Sequence, residues 1–468
     1  MTTMPFLDWD LRAARRGNLD GTLLLGTTEP YDYHLPSCPL ITGRKSAYMT
    51  FASEALARAA GLKPCRTCKP HRFHAARGDG LAVFEALGEL LDKDPAKIWS
   101  AAALAEHAGI PDEALAVILG DHAHATADEW LLRKRVEFAA RQLLTEKVGT
   151  TEAGYAAGFL GGKAFEQAFA MLMGMSPDSY RRLGEQPAFE IQLPARYRKD
   201  LVLSYQGRDP EGLAERSDAS RVWKALDTPD GPVVVTIEFV RRVARVSITA
   251  RKALSRASYA GLHRDVLKIL GLRHEIREFE AAHPDFIAPH RGLRIPLIPR
   301  VFDALSWAII GQQINLSFAG SLRRELILLV GERVGDMIVH PTPAAVANLD
   351  PADLTTRRFS RAKTKYLIET ARTIVNGDLA VEALPEGSAV QAEAKLTALN
   401  GIGTWTARYV MMRTGFADAA PVGDSGIATA LERLYQLDGR PDTIATARLM
   451  AAFAPWRSLA SMHLWASL

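Results

Sequence analysis

Cysteine is the rarest residue type in this sequence, and its scarcity excludes one class of protein at once. Only three of the 468 residues are cysteine, too few for the disulfide framework of a small secreted domain. No run approaches the roughly 18 consecutive apolar residues that a membrane-spanning helix needs. The opening residues, MTTMPFLDWDLRAARR, lack the apolar core of a secretion signal, so we expect a cytosolic protein without a membrane partner.

A strong net charge is also missing. Lys and Arg total 57 against 53 Asp and Glu, which leaves a formal charge of +4. An excess this small does not by itself indicate a nucleic-acid partner. Hydrophobic residues make up 48% and charged residues 24%, which is ordinary globular composition and excludes extensive disorder or a fibrous structure.

Hydrophobic patterns divide the chain into four predicted modules. Apolar residues recur at helical spacing between about residues 81 and 183, and segments rich in Val and Ile, such as GPVVVTIEFV and RVARVSIT, then predict strands. From about residue 285 the pattern is helical again. The predicted fold class is multidomain, mainly α with α+β parts. Its modules are residues 1–78, 79–187, 188–284 and 285–468.

All three cysteines lie in the first module. Cys65 and Cys68 form a CxxC turn, and 26 residues separate Cys38 from Cys65. Zinc binds four ligands in a tetrahedron, so three cysteines need one more partner. His34, in HLPSC, is the best candidate. Asp32, His71 and His74 are the alternatives.

Residues 5 to 75 resemble the N-terminal zinc domain of the Ada-type alkyl-phosphotriester methyltransferases, through LPSC, SAYMTFASEALARAAGLKPC and CRTC. In that family the fourth zinc ligand is a cysteine that accepts a methyl group from DNA phosphate. His34 occupies the matching position here. A neutral imidazole binds zinc well but is a poor nucleophile toward a methyl group, and it removes one thiolate charge from the site. We therefore expect a structural zinc and no methyl transfer to His34, with Cys38 as the fallback acceptor.

Residues 95 to 185 resemble the paired helix-turn-helix motifs of AraC-type regulators. The resemblance is strongest in AGYAAGFLGGKAFEQAFAMLMGMSPDSYRRL. The residues that match the family's packing positions are Ala157, Gly158, Phe159, Phe165, Phe169, Gly174, Pro177 and Tyr180. A recognition helix reads bases with Arg, Lys, Asn or Gln. The first such helix, IPDEALAVILGDH, has three acids and no Lys or Arg. The surface that would contact DNA bases therefore looks degenerate.

The last module contains LNGIGTWTARYV, which has the form of a helix-hairpin-helix. Gly401 and Gly403 permit a tight turn whose backbone N–H groups can approach phosphate closely. Asp424 follows in PVGDSG, immediately before a predicted helix. Taken alone, an Asp at this boundary is explained as an N-cap.

Together these features resemble the helix-hairpin-helix DNA glycosylases, and residues 195 to 468 resemble the AlkA-type DNA-3-methyladenine glycosylase II family in particular. Further support comes from DLVLSYQGRDP, WAIIGQQINL, FSRAKTKYLIETA and APWRSLASMHLW. The resemblance implies a TBP-like α/β domain followed by an all-α glycosylase domain. Lyase-competent relatives carry a lysine at the position of Trp405, and iron–sulfur relatives carry four C-terminal cysteines. Both are missing here, so we expect a monofunctional enzyme.

The resemblance also assigns site residues. Asp424 is implied to stabilise the oxocarbenium ion and to activate water after an alkylated, cationic purine is flipped out of the stack. The implied pocket and DNA-contacting residues are Trp405, Tyr409, Trp465 and Tyr205 for the pocket, and Gln313, Gly401, Gly403 and Thr404 for DNA. For any single one of these rings, core packing is the competing explanation. A monovalent cation at the hairpin is implied as well.

Three functions follow as hypotheses. The first is excision of alkylated purines from damaged double-stranded DNA by a monomeric enzyme of the bacterial cytosol. The second is transcriptional regulation of the alkylation response by the N-terminal half. The third is phosphotriester methyl transfer, which the His34 replacement disfavours.

Overall fold

A computed structural model of the chain describes residues 24–27, 31–35, 38, 40–41, 49–51, 57, 61–145 and 148–468. The side chains of residues 49–50 and 71–79 lie outside this description. In the described part, no helix combines the length and apolar character that a membrane crossing requires.

The described strands belong to three sheets. They are β1 (Leu24–Gly26), β2 (Asp32–His34), β3 (Met49–Phe51), β4 (Lys63–Pro64), β5 (Ala188–Gln192), β6 (Glu215–Ser217), β7 (Arg221–Leu226), β8 (Val233–Val240), β9 (Val243–Ala250), β10 (Arg333–Val334) and β11 (Met337–Ile338).

Helices account for most of the remaining described chain. They are α1 (Pro70–Lys93), α2 (Ala101–Ala108), α3 (Asp112–Ala123), α4 (Ala127–Thr145), α5 (Thr150–Ala156), α6 (Gly162–Met173), α7 (Pro177–Arg181), α8 (Lys199–Gln206), α9 (Arg256–Ile269), α10 (Arg277–Ala282), α11 (Pro284–Ile287), α12 (Val301–Gly311), α13 (Leu316–Val330), α14 (Pro343–Ala347), α15 (Pro351–Thr355), α16 (Arg361–Val375), α17 (Ala389–Thr397), α18 (Thr404–Thr414), α19 (Ser425–Tyr435), α20 (Thr443–Ala451) and α21 (Arg457–Ala466). Short 3-10 turns lie at Pro95–Lys97, Ala288–His290 and Val381–Glu386. This mainly helical chain with separate sheets confirms the predicted fold class.

The described residues form two compact units. The first takes its residues from Met1–Lys93, Ile98–Leu131 and Ala417–Leu468, and the second from Asp94–Lys97 and Leu132–Phe416. These units are defined by contacts in space, whereas the four modules were defined by sequence patterns. The four modules therefore stay a prediction.

The first unit begins with a small four-stranded sheet in the order β3-β1-β2-β4, in which only the β2–β4 pairing is parallel. Its core contains Leu24, Tyr33 and Leu62. A second core joins α1, α2 and α3 around Leu91 and Leu119, both fully buried. These helices form because their apolar residues recur every three or four positions and face one another.

The same unit includes the last three helices, α19, α20 and α21, which pack together. His124, at the end of α3, accepts a hydrogen bond at Nδ1 from the Asp418 amide at 3.1 Å. The Asp418 carboxylate in turn binds Arg457 of α21, with Nη2–Oδ2 at 2.7 Å. The first helix-turn-helix and the C-terminal helices therefore share one compact unit.

The second unit contains a five-stranded antiparallel sheet in the order β5-β9-β8-β7-β6. Alternation along β8 places Val233, Val235 and Ile237 on one face and Val234 on the other, as the two-residue repeat of a strand requires. Both long central strands match the predicted segments. The β10–β11 hairpin, which packs on the Val234 face, was not expected from the sequence because its strands have two residues each.

The second helix-turn-helix, α5 to α7, shares one hydrophobic core with this sheet and with α9. Phe169 and Ile191 are both fully buried in that core. His263 of α9 is also fully buried, and its Nε2 lies 2.9 Å from the Met173 carbonyl at the end of α6. This helix pair is thus part of the interior packing of the second unit.

Helix α12 lies centrally in the second unit, against α13, α16 and α18. Its sequence, VFDALSWAIIG, is apolar around nearly its whole circumference, as expected for a helix that neighbours cover on every side. Lys363 of α16 donates to the Ile310 carbonyl at 2.7 Å and so caps the end of α12. This packing fixes the start of the loop that contains Gln313.

Candidate functional site

Asp424 lies in the first unit as the N-cap of α19. Its Oδ1 accepts a hydrogen bond from the Ile427 amide at 3.0 Å, so the local interpretation of this residue as an N-cap is correct. The carboxylate is half-buried. Its position at the positive end of the helix dipole favours a negative charge.

The same oxygen accepts a second hydrogen bond. Trp465 of α21 donates from Nε1 to Oδ1 of Asp424 at 3.0 Å. Among the described residues none donates to Oδ2. A β-carbon on Gly426 would lie 3.0 Å from Oδ1 and 3.3 Å from the Trp465 ring, so only glycine leaves this approach unstrained. The result is a carboxylate with one oxygen held by two N–H donors and the other open, an arrangement that can stabilise a nearby positive charge or orient a water molecule.

The hairpin lies in the second unit, between α17 and α18. Gly401 has φ +79, and a β-carbon there would lie 2.4 Å from the ring of Tyr366 on α16. Ile402 is buried beneath the turn. Gly403 is the N-cap of α18, with no side chain capping that end, and both Gly403 and Thr404 are exposed. Backbone N–H groups at such a helix start can bind phosphate oxygens.

Gln312 ties the next predicted DNA-contact segment to this hairpin. Its Nε2 donates to the Gly401 carbonyl at 3.0 Å and lies 3.4 Å from Oγ1 of Thr406. The adjacent Gln313 is exposed, with a left-handed φ of +55, an uncommon conformation for a non-glycine residue. The sequence prediction assigned a role to Gln313 but none to Gln312. Only the fold reveals that the Gln312 amide binds the hairpin while Gln313 is exposed.

Two of the predicted pocket rings stack on each other. The rings of Trp405 and Tyr409, one helical turn apart on α18, have centroids 5.7 Å apart and planes inclined by 18°. The Tyr409 hydroxyl accepts a hydrogen bond from Nε1 of Trp307 at 3.0 Å. Burial raises the pKa of Tyr409 to about 12, so the phenol stays neutral at ordinary pH. Trp307 is a further ring of this cluster, which the sequence prediction did not assign.

Tyr205, on α8, contacts two guanidinium groups. The guanidinium carbons of Arg208 and Arg413 lie 4.4 and 4.5 Å from its ring centroid. Arg413 is buried and donates from Nη2 to the Pro296 carbonyl at 2.6 Å. Cation–π contacts of this kind stabilise both partners. These contacts use the π system of the Tyr205 ring, which the sequence prediction assigned to the binding of a flipped base.

The four predicted metal ligands come together in the first unit. One ligand atom from each of His34, Cys38, Cys65 and Cys68 lies within 4.8 Å of the others. The Cys38 and Cys65 sulfurs are 4.0 Å apart, close to the roughly 3.8 Å that a tetrahedral site with Zn–S bonds of about 2.3 Å requires. The donor set and its spacing therefore fit a metal ion such as zinc.

Outer contacts support these ligands. Nδ1 of His34 faces the sulfur of the neighbouring ligand Cys38 at 3.4 Å, and on the outer side of the ring Nε2 lies 3.3 Å from Oγ1 of Thr27. The Leu35 amide lies 3.4 Å from the Cys68 sulfur. Such partners orient the ligands and stabilise thiolate charge. His71 and His74 lie among the side chains outside the description, and Asp32 is absent from the cluster that the described residues form.

The second helix-turn-helix keeps its scaffold. The predicted packing residues Phe165, Phe169 and Tyr180 are buried. The exposed side of α6 presents Lys163, Glu166, Gln167, Ala170 and Met171. The first recognition helix, α3, begins with the exposed acids Asp112 and Glu113. Acids at this position repel phosphate, and the expectation that this helix pair reads bases poorly stays a prediction.

Three parts of the chain match known protein families. Residues 8–71 match the metal binding domain of Ada, residues 104–183 match a helix-turn-helix domain, and residues 306–455 match the HhH-GPD superfamily base excision DNA repair protein. Their order along the chain is the order that the sequence resemblances predicted.

Two curated relatives carry glycosylase names. A DNA-3-methyladenine glycosylase of Bacillus subtilis is 34% identical over 200 residues, which cover 40% of this chain and 65% of that protein. DNA-3-methyladenine glycosylase 2 of Escherichia coli is 30% identical over 184 residues, which cover 38% of this chain and 61% of that protein. The chain thus spans less than two thirds of the length of either relative.

One solved structure shows the shared fold. A 3-methyladenine DNA-glycosylase from Archaeoglobus fulgidus superposes with a TM-score of 0.53 at 20% identity, over 59% of this chain and 97% of that one. The chain therefore contains, in this order, segments that match the metal binding domain of Ada, a helix-turn-helix domain and the HhH-GPD superfamily base excision DNA repair protein.

Proposed function

We propose that this chain is a monofunctional DNA glycosylase that flips alkylated purines out of duplex DNA and hydrolyses their glycosidic bonds. The observation that carries the proposal is the carboxylate of Asp424, with Oδ1 held by the Ile427 amide and the Trp465 indole and Oδ2 open. The HhH-GPD match and the names of the two relatives support the same conclusion.

The chemistry follows from charge. Alkylation of a ring nitrogen makes the purine cationic and therefore a good leaving group. When the C1′–N bond breaks, its electron pair leaves with the base and positive charge develops at C1′. Asp424 stabilises that charge, and its open oxygen orients the water that adds to C1′. The fixed oxygen keeps the carboxylate from reorganising during the reaction.

Aromatic residues bind the flipped base in this proposal. Trp405 and Tyr409, already stacked, offer π faces to a cationic purine, and each cation–π contact contributes about 0.5–2 kcal/mol. Trp465 and Tyr205 complete the proposed pocket set. Trp405 stands where lyase-competent relatives carry lysine, so no Schiff base forms at that position.

The hairpin and the loop that contains Gln313 bind the DNA itself. Backbone N–H groups at Gly401, Gly403 and Thr404 contact phosphate oxygens at the start of α18. Gln313 fills the gap that the flipped base leaves and hydrogen-bonds the orphaned partner base. Its exposed, left-handed backbone supports a role at the tip of a protruding loop. A monovalent cation at the hairpin belongs to the same proposal.

Asp424→Asn tests this function. Base release from methylated duplex DNA should fall by roughly 100-fold or more, while affinity for DNA with an abasic analogue is retained. Asp442→Asn is the matched control, because Asp442 is also an N-cap, of α20 in the same unit, and asparagine caps a helix equally well. Undiminished release by Asp424→Asn would reject the assignment.

In the metal-binding domain we propose a structural Zn²⁺ held by His34, Cys38, Cys65 and Cys68. Zinc would cross-link the strands and loops of a sheet too small to fold on hydrophobic burial alone. Cys38 is fully buried, which argues against its use as a methyl acceptor. Incubation with methylated DNA should therefore leave the protein mass unchanged, and a methylated cysteine would contradict this.

Regulation by the N-terminal half is the second candidate, supported by the helix-turn-helix match at residues 104–183. Lys163 and Gln167 are exposed on α6 and able to contact DNA. Footprinting on the chain's own promoter tests it, since a protected site would establish a specific reader. The proposed setting for either function is the bacterial cytosol, with damaged duplex DNA as the partner of a monomer.

A further inference from the structure

The face of α18 that carries Trp405 and Tyr409 continues to Arg413. These three residues are spaced four apart along the helix, and residues four apart lie on one helix face. The Trp405 and Tyr409 rings stack, with centroids 5.7 Å apart. The guanidinium carbon of Arg413 lies 4.5 Å from the Tyr205 ring centroid. One face of α18 therefore joins the Tyr205 ring to the two stacked rings.

Arg208 covers the Tyr205 ring with a second guanidinium. Its guanidinium carbon lies 4.4 Å from the ring centroid, within the range of a cation–π contact. Burial raises the pKa of Tyr409, and the charges of Arg413 and Arg208 both oppose that rise, so Arg208 acts on the same face of α18. Part of the ring surface assigned to a flipped base is therefore occupied in the free protein.

The two arginines differ in how firmly they are held. Arg413 is buried and donates from Nη2 to the Pro296 carbonyl at 2.6 Å. Arg208 is exposed and forms no ion pair with any residue that the structure describes. The adjacent acid, Asp209, binds Arg324 at 3.2 Å instead. The Arg208 side chain can therefore leave the ring for water without breaking an ion pair, whereas Arg413 is fixed in place.

The backbone around Arg208 is held on both sides. On one side, Oγ of Ser217 donates to the Leu203 carbonyl near the end of α8 at 2.7 Å. A β-carbon on Gly207 would lie 2.7 Å from the same Oγ, so α8 approaches β6 closely there. On the other side, the ion pair of Asp209 holds the chain. Movement of Arg208 off the ring is therefore a rotation of its side chain and not a movement of the loop.

We propose that Arg208 gates the base pocket: its guanidinium covers the Tyr205 ring in the free protein and must rotate into solvent before a flipped base can stack there. The proposal rests on the proposed function and adds a residue that controls access to the same pocket. A guanidinium is planar, delocalised and cationic, so it offers the ring the same kind of contact as an alkylated, cationic purine. Arg208 is thus an internal competitor of the substrate base.

Competition of this kind acts on every base alike. The cation–π contact keeps the pocket open for only a fraction of the time, and the apparent affinity for any base falls by that fraction. The usual strength of such contacts corresponds to a factor of about 2 to 30. A base that binds well still fills the pocket, whereas a base that binds weakly loses occupancy in proportion. The gate therefore lowers the occupancy of the pocket by undamaged bases.

Two fluorescent nucleosides test the gate, because they offer a base to the pocket but carry no phosphate. In mildly acidic buffer 7-methylguanosine is cationic, 2-aminopurine riboside is neutral, and stacking on aromatic rings quenches both. In fluorescence titrations of the full chain, Arg208→Ala should bind both nucleosides more tightly, by one common factor of about 2 to 30. Arg251→Ala is the matched control, because it removes an exposed arginine after β9 and should bind both nucleosides as the wild type does.

The two probes separate occlusion of the ring from charge repulsion. Tighter binding of 7-methylguanosine alone would show that Arg208 only repels a cation, and would overturn the gate. Unchanged or weaker binding of both nucleosides by Arg208→Ala would overturn it as well. If Arg208 instead binds a phosphate, Arg208→Ala should leave nucleoside binding unchanged, weaken binding to undamaged duplex and reduce its salt dependence.

These titrations need no base excision. If wild-type protein releases no methylated base but Arg208→Ala binds both nucleosides more tightly, the proposed function fails while the gate stands. If release is normal and Arg208→Ala binds the nucleosides as Arg251→Ala does, the gate fails while the proposed function stands.

Discussion

The indole of Trp465 donates to the same carboxylate oxygen of Asp424 that caps helix α19, at 3.0 Å. One oxygen therefore accepts from a residue of its own helix and from a residue distant in sequence. The proposed catalytic carboxylate is thus also the N-cap of α19. Since the cap fixes Oδ1, it leaves Oδ2 as the oxygen that would act in the proposed reaction. The ring expected only as a pocket wall thus also orients the carboxylate.

Trp465→Phe should separate orientation from packing. It keeps an aromatic ring but removes the N–H donor, and a hydrogen bond to a charged group contributes about 1.5–3 kcal/mol. The single-turnover rate of base release should fall roughly 10- to 100-fold, with unchanged affinity for an abasic analogue. If affinity falls in parallel with the rate, the ring acts through binding and the orienting role is wrong.

Gly401→Ala should disrupt the hairpin. The new β-carbon would lie 2.4 Å from the Tyr366 ring, on a backbone with φ +79, and both effects are destabilising. We expect a lower melting temperature and at least tenfold weaker DNA binding. Gly439→Ala, where a β-carbon meets nothing within 4 Å, is the control. Tyr366→Ala combined with Gly401→Ala should recover stability only in part, because the left-handed backbone remains strained; full recovery would show that the clash alone mattered.

His263 should make the second unit sensitive to mild acid. Burial lowers its pKa to about 4, although its hydrogen bond to the Met173 carbonyl opposes this shift. An unfolded histidine has a pKa of about 6.5. The unfolded chain therefore binds the proton more readily, so the stabilising contribution is complete above about pH 6.5 and is lost as pH falls toward 4.

Between pH 7 and pH 5 this site should cost about 2 kcal/mol of unfolding free energy. Urea titrations at the two pH values measure it. His263→Gln can still donate to Met173 but does not titrate in this range, so its pH dependence should be flatter. If the unfolding free energy changes equally with pH in wild type and variant, the acid sensitivity belongs to other groups.

The metal site predicts one bound zinc per chain. His34→Ala should lower zinc content and the thermal stability of the first unit, because three thiolates leave the tetrahedron incomplete. Asp32→Asn should retain the metal, since Asp32 is outside the cluster that the described residues form. Elemental analysis after gel filtration measures both, and full zinc retention by His34→Ala would exclude His34 as a ligand.

His34→Cys should restore a four-thiolate site. More anionic charge makes a metal-bound sulfur a better nucleophile, and the altered position matches the methyl acceptor of the resembling family. Mass spectrometry after incubation with methylated DNA should then detect one added methyl group on the variant and none on the wild type. Methylation of the wild type would show that the histidine does not block transfer.

Sequence alone identified the features that short segments encode. The CxxC turn and the histidine four residues before Cys38 are local spacings, and the fold brings all four side chains together. The glycines of LNGIGTW determine a turn by their own backbone freedom. Alternating Val and Ile in GPVVVTIEFV and RVARVSIT predicted the two central strands, because a half-buried strand requires that period.

Tertiary structure decided which distant residues meet. Trp465 reaches Asp424 across 41 positions and Gln312 reaches Gly401 across 89, and no local pattern encodes such pairs. The common core of Phe169 and Ile191 likewise joins the second helix-turn-helix to the sheet. Side-chain spacing within a segment is dictated by its own helix or strand, whereas the partner of a side chain depends on how whole elements pack. The sequence by itself determined the chemical groups of this protein, and only the tertiary structure decided that Trp465 donates to the Asp424 carboxylate.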